Sequence, residues 1–462
     1  MSNLRSVLGG TGPMLFSNYY TNATTGYGIG VPGVAYKTQN LRMSQFRGKS
    51  KEAKSGLMFR IVNGYFADDS DYFNKNKELN IGGGITDFTN VATATNNLRT
   101  INGSDSYSVE WFGWFFAPTT GTYTFYTVSD DASYLWIDSN ALSGYTTANA
   151  TVKNPGLHGM IEAYGTITLT AGNYYPIRIQ FGENAGGDDI SVSFTPPSGT
   201  RTYDGRGYYC TGIGISSAFP AIRAYHIKTL MSTSPDGVYW IVSNGTATQT
   251  YCLMDNKWDG GGWMLMMKGT TGTTFNYDST YWTSSTTTLN HTDLTRNNAD
   301  AKYGAFNSVP VKDIMALWPD IPATSGASGS VSGQTEAWSW KVNDFVTGLS
   351  TMYAGLNNSR DASPSDPTTF SGWNSSYWST EPGAKRHVFG GSHLATTPVA
   401  LVRWGFIFNN EADFASSDVF GGIGMKFTQG TTTISYSAGD YYYCCGTIAA
   451  NTGSRRFELY GR

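Results

Sequence analysis

The chain has 462 residues, a formal net charge of -3, 15% aromatic and only 14% charged side chains. That length exceeds one ordinary hydrophobic core and sets an expectation of two or three domains. A near-neutral balance without a Lys/Arg run argues against nucleic acid as a partner, and no apolar run approaches the ~20 residues of a membrane-spanning helix.

Abundant Tyr, Trp and Thr, with 55 glycines against 16 prolines, suit β-sheets joined by tight turns, so a mainly β fold is expected. The start of the chain, MSNLRSVLGGTGPMLF, lacks the charged and apolar regions of a signal peptide, which predicts no export by that route. The sequons at Asn22, Asn102, Asn149 and Asn244 then carry little weight. Four cysteines do not make a disulfide framework.

Residues 1–55 are rich in Gly, Ser, Asn and Thr, with a small basic cluster in LRMSQFRGKSKEAK (Leu41–Lys54). They read either as a flexible lead-in or as an extension that orders only on docking to a larger assembly. From residue 56 to 198 the pattern is β throughout: LMFRIVNGYF, YSVEWFGWFF, TYTFYTVS, SYLWID, GTITLT, YYPIRIQF and ISVSF are short strands separated by turn residues. Such spacing predicts a sandwich or barrel. The Gly- and Arg-containing stretch 199–207 reads as a linker, and residues 208–462 as a second, α+β domain. Helices are expected over Val311–Trp318 and Val342–Thr351, with a long surface loop at 321–335.

Within the first domain, Tyr123 and Phe125 alternate with Thr122 and Thr124, the period of a half-buried strand. That strand ends at Ser129-Asp130-Asp131, and Tyr134–Ile137 begins the next apolar run. Two carboxylates are thus set at the mouth of an apolar sandwich, where a hard cation would be at home. On its own, an Asp pair in a loop more often caps a solvated turn.

GWFFAPTTGTYTFYTVSDDASYLWID followed by NYYPIRIQFGENAGGDDISVSF resembles the PA14 superfamily, and its lectin branches, the PA14 and GLEYA adhesin domains, more than its toxin branch. The resemblance implies a Ca²⁺ held by the Asp pair, an Asn from a later turn and nearby backbone carbonyls, with vicinal sugar hydroxyls completing the shell. Carried over by position, the metal ligands are Asp130, Asp131 and Asn184, with carbonyls near Gly186 and Asp188. The chain departs from the pattern where Gly182-Glu183 precede Asn184 and Gly186-Gly187 follow it, a place where lectins often carry a bulky sugar-contacting residue.

Residues 208–462 resemble the fibrinogen C-terminal-like domain, through DGVYWI (Asp236–Ile241), YCLMD (Tyr251–Asp255), DGGGWMLMMKG (Asp259–Gly269), FNYDSTYW (Phe275–Trp282) and the closing SRRFELYGR. The resemblance implies a disulfide between Cys210 and Cys252. It also points to a second metal position, where Asp418 with Glu411 and Asp413 replaces the family's Asp-rich loop. Tyr441, Tyr442 and Tyr443 fall where that family contacts its ligand, and tyrosine faces suit stacking on sugar rings.

The five histidines (158, 226, 291, 387 and 393) have no metal-site spacing, and no G-x-S-x-G elbow, P-loop or strand-linked Rossmann glycine pattern occurs. Adjacent carboxylates are poorly placed to flank a scissile glycosidic bond. A non-enzymatic binder is therefore expected. LRMSQFRGK is similar to short stretches near the start of phage baseplate and fibre proteins. The implied role is a tailed-phage virion protein (a tail, neck or capsid fibre or decoration), assembled in the host cytoplasm. It would be a homotrimer, joined to other virion proteins through residues 1–55 and displaying domains that attach to host-surface glycans. The alternatives are a purely architectural cement protein and a cellular carbohydrate-binding adhesin.

Overall fold

The computed structural model describes residues 53–89, 105–321 except 271, 331–357 except 332, 360–361, 385–389, 399–408, 419–444, 447–451 and 456–462. The docking segment expected at 1–55 lies outside these apart from its last three residues. Eleven strands precede residue 213: β1 (Ala53–Ser55), β2 (Leu57–Asn63), β3 (Glu78–Ile85), β4 (Tyr107–Phe116), β5 (Gly121–Ser129), β6 (Ser133–Ile137), β7 (Val152–Asn154), β8 (Ile161–Leu169), β9 (Tyr174–Glu183), β10 (Ile190–Thr195) and β11 (Tyr209–Gly212). They form two antiparallel sheets. The larger has β4 at its centre, flanked by β9 on one side and by β2 and then β11 on the other, while β6 and β7 extend it beyond β9. The smaller is β10-β5-β8.

Between the sheets lies an aromatic core. Phe115 meets Tyr123, Phe125, Phe194 and Tyr209 edge-on, with ring centroids 5.0–5.7 Å apart. Each such ring contributes ~1.5–3 kcal/mol by leaving water. All ten residues of β4 are buried, because loops and the second half of the chain cover the other face of its sheet. That is why YSVEWFGWFF reads as a near-continuous apolar run.

The one charge on this stretch, Glu110, sits directly across from Arg60 on β2 and Gln180 on β9. Arg60 Nε donates to Glu110 Oε2 at 2.7 Å, Gln180 Nε2 donates to Oε1 at 2.9 Å, and Arg178 pairs with the same carboxylate. Burial pushes Glu110 up, but Arg178 and Arg60 outweigh it and hold the carboxyl at about 2.

The expected linker at 199–207 is not a free connector. Thr202 bridges Phe194, Asp204 bridges Asp87, and β11 beyond it completes the first sheet by pairing with β1 and β4. Residues 50–462 accordingly pack as one unit.

The second half is mainly β. β12 (Gly237–Ser243), β13 (Thr246–Leu253), β14 (Trp263–Gly269), β15 (Ala301–Lys302), β16 (Ile314–Trp318) and β17 (Trp338–Val342) form one sheet with the last strand of the chain. β18 (Arg360–Asp361), β19 (Lys385–Phe389), β20 (Val399–Phe408), β21 (Val419–Gln429), β22 (Thr432–Cys444) and β23 (Thr447–Asn451) form an antiparallel meander. β24 (Phe457–Gly461) then inserts between β14 and β16.

The helix expected over Val311–Trp318 is a strand instead. All five residues of β16 are buried between β24 and β17, and a short apolar run buried on both faces carries no period that separates strand from helix. Val342–Thr351 is likewise not helical; Val342 ends β17, and Thr351 caps the short helix Met352–Leu356. Among the described residues the longest helix is Ala224–Leu230, and no helix is long and apolar enough to cross a membrane.

The disulfide expected between Cys210 and Cys252 is also corrected: both are free, buried thiols. They belong to different sheets and different apolar clusters, Cys210 among Met58, Trp114 and Phe219, Cys252 among Ile241, Met254 and Met264. Burial pushes the Cys210 thiol up to about 12 and raises that of Cys252 as well, so neither is a ready thiolate. Peptide mapping after iodoacetamide should find both unmodified in the native protein and both alkylated after unfolding without reductant. A linked Cys210–Cys252 peptide would contradict this packing.

Candidate metal centre

β5 delivers the Asp pair. Its buried residues Tyr123, Phe125, Thr127 and Ser129 anchor one face in the core, and the chain turns at once, with Asp131 in the left-handed region at φ 63°. Beneath the turn is a polar floor: Ser129 Oγ donates to the Asp131 carbonyl at 2.7 Å, and Ser133 Oγ to Thr127 Oγ1 at 2.9 Å. Asn154 Nδ2 adds a bond to Ser129 Oγ at 3.1 Å.

Asp131 ties three loops together. Its Oδ1 accepts from the main-chain N–H of His158 at 3.0 Å, and its Oδ2 from that of Asn184 at 2.9 Å. Asp130 N–H donates to the Asp189 carbonyl at 2.9 Å, which draws in the 184–189 loop. That loop approaches closely at Gly187, where a Cβ would stand 2.4 Å from Asp130 Oδ2. The glycine that breaks the lectin pattern is thus the residue whose lack of a side chain makes room for the Asp130 carboxylate.

Glu183, the last residue of β9, closes the cluster. Ligand oxygens of Asp130, Asp131 and Glu183 all lie within 4.8 Å of one another, the one such acidic group among the described residues. Glu183 is fully buried, and neither of its carboxylate oxygens has a hydrogen-bond partner. A buried carboxylate without partners is costly, and a cation is the group that would relieve it. Burial, then the charges of Asp131, Asp130, Asp188 and Asp105, push Glu183 up to about 8. Asp130 is raised too, by burial and by Asp131. Three oxygen donors of this kind, and no sulfur or imidazole among them, fit a hard divalent cation such as Ca²⁺.

Of the positions expected from sequence, Asp130 and Asp131 both belong to the three-carboxylate group. Asn184 lies beside them but is exposed, and its main-chain N–H bonds Asp131. Asp188 is half-buried and outside the three-carboxylate group, close enough for its charge to raise both Asp130 and Glu183. In the sequence Glu183 stands out only as a departure from the lectin pattern.

The second metal position, Glu411, Asp413 and Asp418, lies outside the described residues. Tyr441, Tyr442 and Tyr443 lie on β22, paired with Phe420, Val419 and Ile448 respectively. Their side chains are outside what the structure describes.

No curated protein matches this chain. Among solved structures, the A domain of Epithelial Adhesin 6 from Candida glabrata, in complex with Galb1-3GlcNAc, is 17% identical with a TM-score of 0.29, over 36% of this chain and 90% of that one. The PA14 sugar-binding domain from an RTX adhesin is 16% identical with a TM-score of 0.26, over 34% of this chain and 96% of that one. The PA14 domain of the MpAFP antifreeze protein is 12% identical with a TM-score of 0.26, over 38% and 96%. Residues 107–196 match the family model of the GLEYA domain, and the whole Asp130–Asp131–Glu183 cluster falls inside that match.

Proposed function

We propose that this chain is a non-enzymatic, calcium-dependent glycan-binding protein. Its GLEYA-like segment presents a sugar to Ca²⁺ held by Asp130, Asp131 and Glu183. The observation that carries the reading is the buried, unpartnered Glu183 carboxylate beside the Asp pair, inside the segment that the family model matches. Ca²⁺ takes six to eight oxygens, so three carboxylates, nearby carbonyls and the Asn184–Asp188 loop leave coordination for vicinal hydroxyls of a sugar.

A glycan array probed in calcium and again in EDTA tests this. The wild type should show a set of hits that disappears with EDTA, and Asp130→Asn should lose the same set. An array silent in both buffers would defeat the reading in favour of a purely architectural part, and one whose every hit persists in EDTA would overturn the calcium dependence.

The reading extends to context. Residues 208–462 serve as a fibrinogen-like companion domain, and the chain is a homotrimeric fibre or decoration of a phage particle, held to other virion proteins through residues 1–55 and facing host glycans. A cellular adhesin would use the same centre. Immunogold labelling of purified phage particles separates the two: labelled particles support the virion role, and unlabelled ones overturn it.

A further inference from the structure

The small sheet β10-β5-β8 buries one face in the sandwich; the other is open on β5 and β8 and covered on β10, where Ser191 and Ser193 are buried, and it has an organised centre. On β5, Tyr126 alternates with the buried Phe125 and Thr127 and so points outward. It stands directly opposite Tyr164 on β8 and Ser193 on β10. Tyr164 is 70% exposed, the most exposed of the large apolar side chains among the described residues, and its ring centroid is 6.0 Å from that of Tyr126, tilted by 41°.

Arg201 reaches back across β10 to complete the group. Its Nε donates to Ser193 Oγ at 2.8 Å, its guanidinium lies 4.0 Å from the Tyr126 ring centre and 5.7 Å from that of Tyr203, and it pairs with Glu162 at 2.7 Å. Glu162 is two residues from Tyr164 on the same face of β8. The stretch 199–207 therefore supplies two members of the cluster, Arg201 and Tyr203.

We infer that this face is a second, calcium-independent binding site for a neutral, extended β-linked polysaccharide, in which Tyr164 stacks on a pyranose ring and Arg201 with Glu162 bonds its hydroxyls. Exposed rings cost water their hydration and suit the C–H face of a sugar, and an Arg–Glu pair offers both donors and acceptors. The guanidinium has five donors, more than Ser193 and Glu162 engage. Because Arg201 and Glu162 neutralise one another, the site has no bias toward acidic glycans.

The surroundings argue for a polymer chain over a terminal sugar. Thr122, Thr124, Thr166 and Thr168 continue the face along β5 and β8 as an open, hydroxyl-lined surface. Tyr164 supplies the stacking ring, since the Arg201 guanidinium already lies 4.0 Å from the Tyr126 ring centre, and an open face of this kind suits an extended β-linked chain better than a coiled α-linked one.

The test is affinity electrophoresis of the whole chain in native gels containing hydroxyethylcellulose, run in EDTA so that the carboxylate centre is silent. Wild type should be retarded. Tyr164→Ala should bind about tenfold more weakly, the loss of one ring contact, and Arg201→Ala should also run faster. Asp130→Asn should migrate as wild type, which separates this site from the metal centre. Tyr164→Phe should keep most of the retardation, and because Tyr164 is so exposed, unchanged melting temperatures will show that the variants fold. Unretarded wild type, equal retardation of Tyr164→Ala, or retardation by an α-linked glucan in place of hydroxyethylcellulose would each overturn the inference.

Discussion

Replacing Glu183 by Gln is expected to weaken calcium binding on the order of 100-fold, since charge count and oriented oxygens set the affinity of such sites. In EDTA the same variant should be as stable as wild type or more so. The two halves of this result come from one geometry. Glu183 is buried against Asp131 and Asp130 with no hydrogen-bond partner, so without a cation its charge is a cost.

The sign with pH follows. Glu183 is raised from 4.5 to about 8 in the folded chain. The stability tied to its protonated form is complete below about pH 4.5 and is lost as pH rises through about 8. Melting of the wild type in EDTA should therefore fall between about pH 4.5 and 8 and recover on adding calcium, whereas Glu183→Gln should show a flatter profile and little recovery. Isothermal titration calorimetry with differential scanning calorimetry reads both. Equal calcium affinity in the two proteins would remove Glu183 from the centre. Asp131 is the less informative position, because its carboxylate also accepts two main-chain N–H bonds that join three loops, and its loss should lower stability in EDTA as well.

The Asp pair was legible in the chain because a strand with a clear period of two runs straight into it. Glu183 was not, because a Glu at the end of an apolar strand ordinarily faces water. What buries it is a long-range register: β9 pairs with β4 so that Glu183 stands opposite Tyr107, and β4 in turn is covered on both faces. The main strands of the sandwich could be read from alternation and turn residues, but β1, β3, β7 and β11 could not. β1 and β7 are three residues long and β3 is rich in Gly, so each depends on a neighbour for its conformation. β16 misled for the opposite reason, its run being too uniformly apolar to show a period. The cysteines misled because their order along the chain says nothing of the separate apolar clusters that hold them.

Glu110→Gln should destabilise the protein by about 3–5 kcal/mol at neutral pH, as expected when one partner of a buried ion group is removed. Glu110 is almost wholly buried and receives Arg60, Arg178 and Gln180, so the neutral side chain would leave two guanidinium groups without their shared counterion. Glu78 stands 3.6 Å from Arg60, but it is also engaged by Arg223, itself depressed to about 9 by burial and by Arg60. It cannot neutralise three cations. The pH dependence is opposite in sign to that of Glu183. Holding Glu110 at about 2 against an ordinary 4.5 is worth roughly 3 kcal/mol, present above about pH 4.5 and lost as pH falls toward 2. Urea unfolding of wild type and variant should therefore differ most at pH 7 and converge as the solution is acidified. A difference below about 1 kcal/mol at pH 7, or one that stays constant down to pH 3, would mean that the triad orients β2, β4 and β9 without stabilising them.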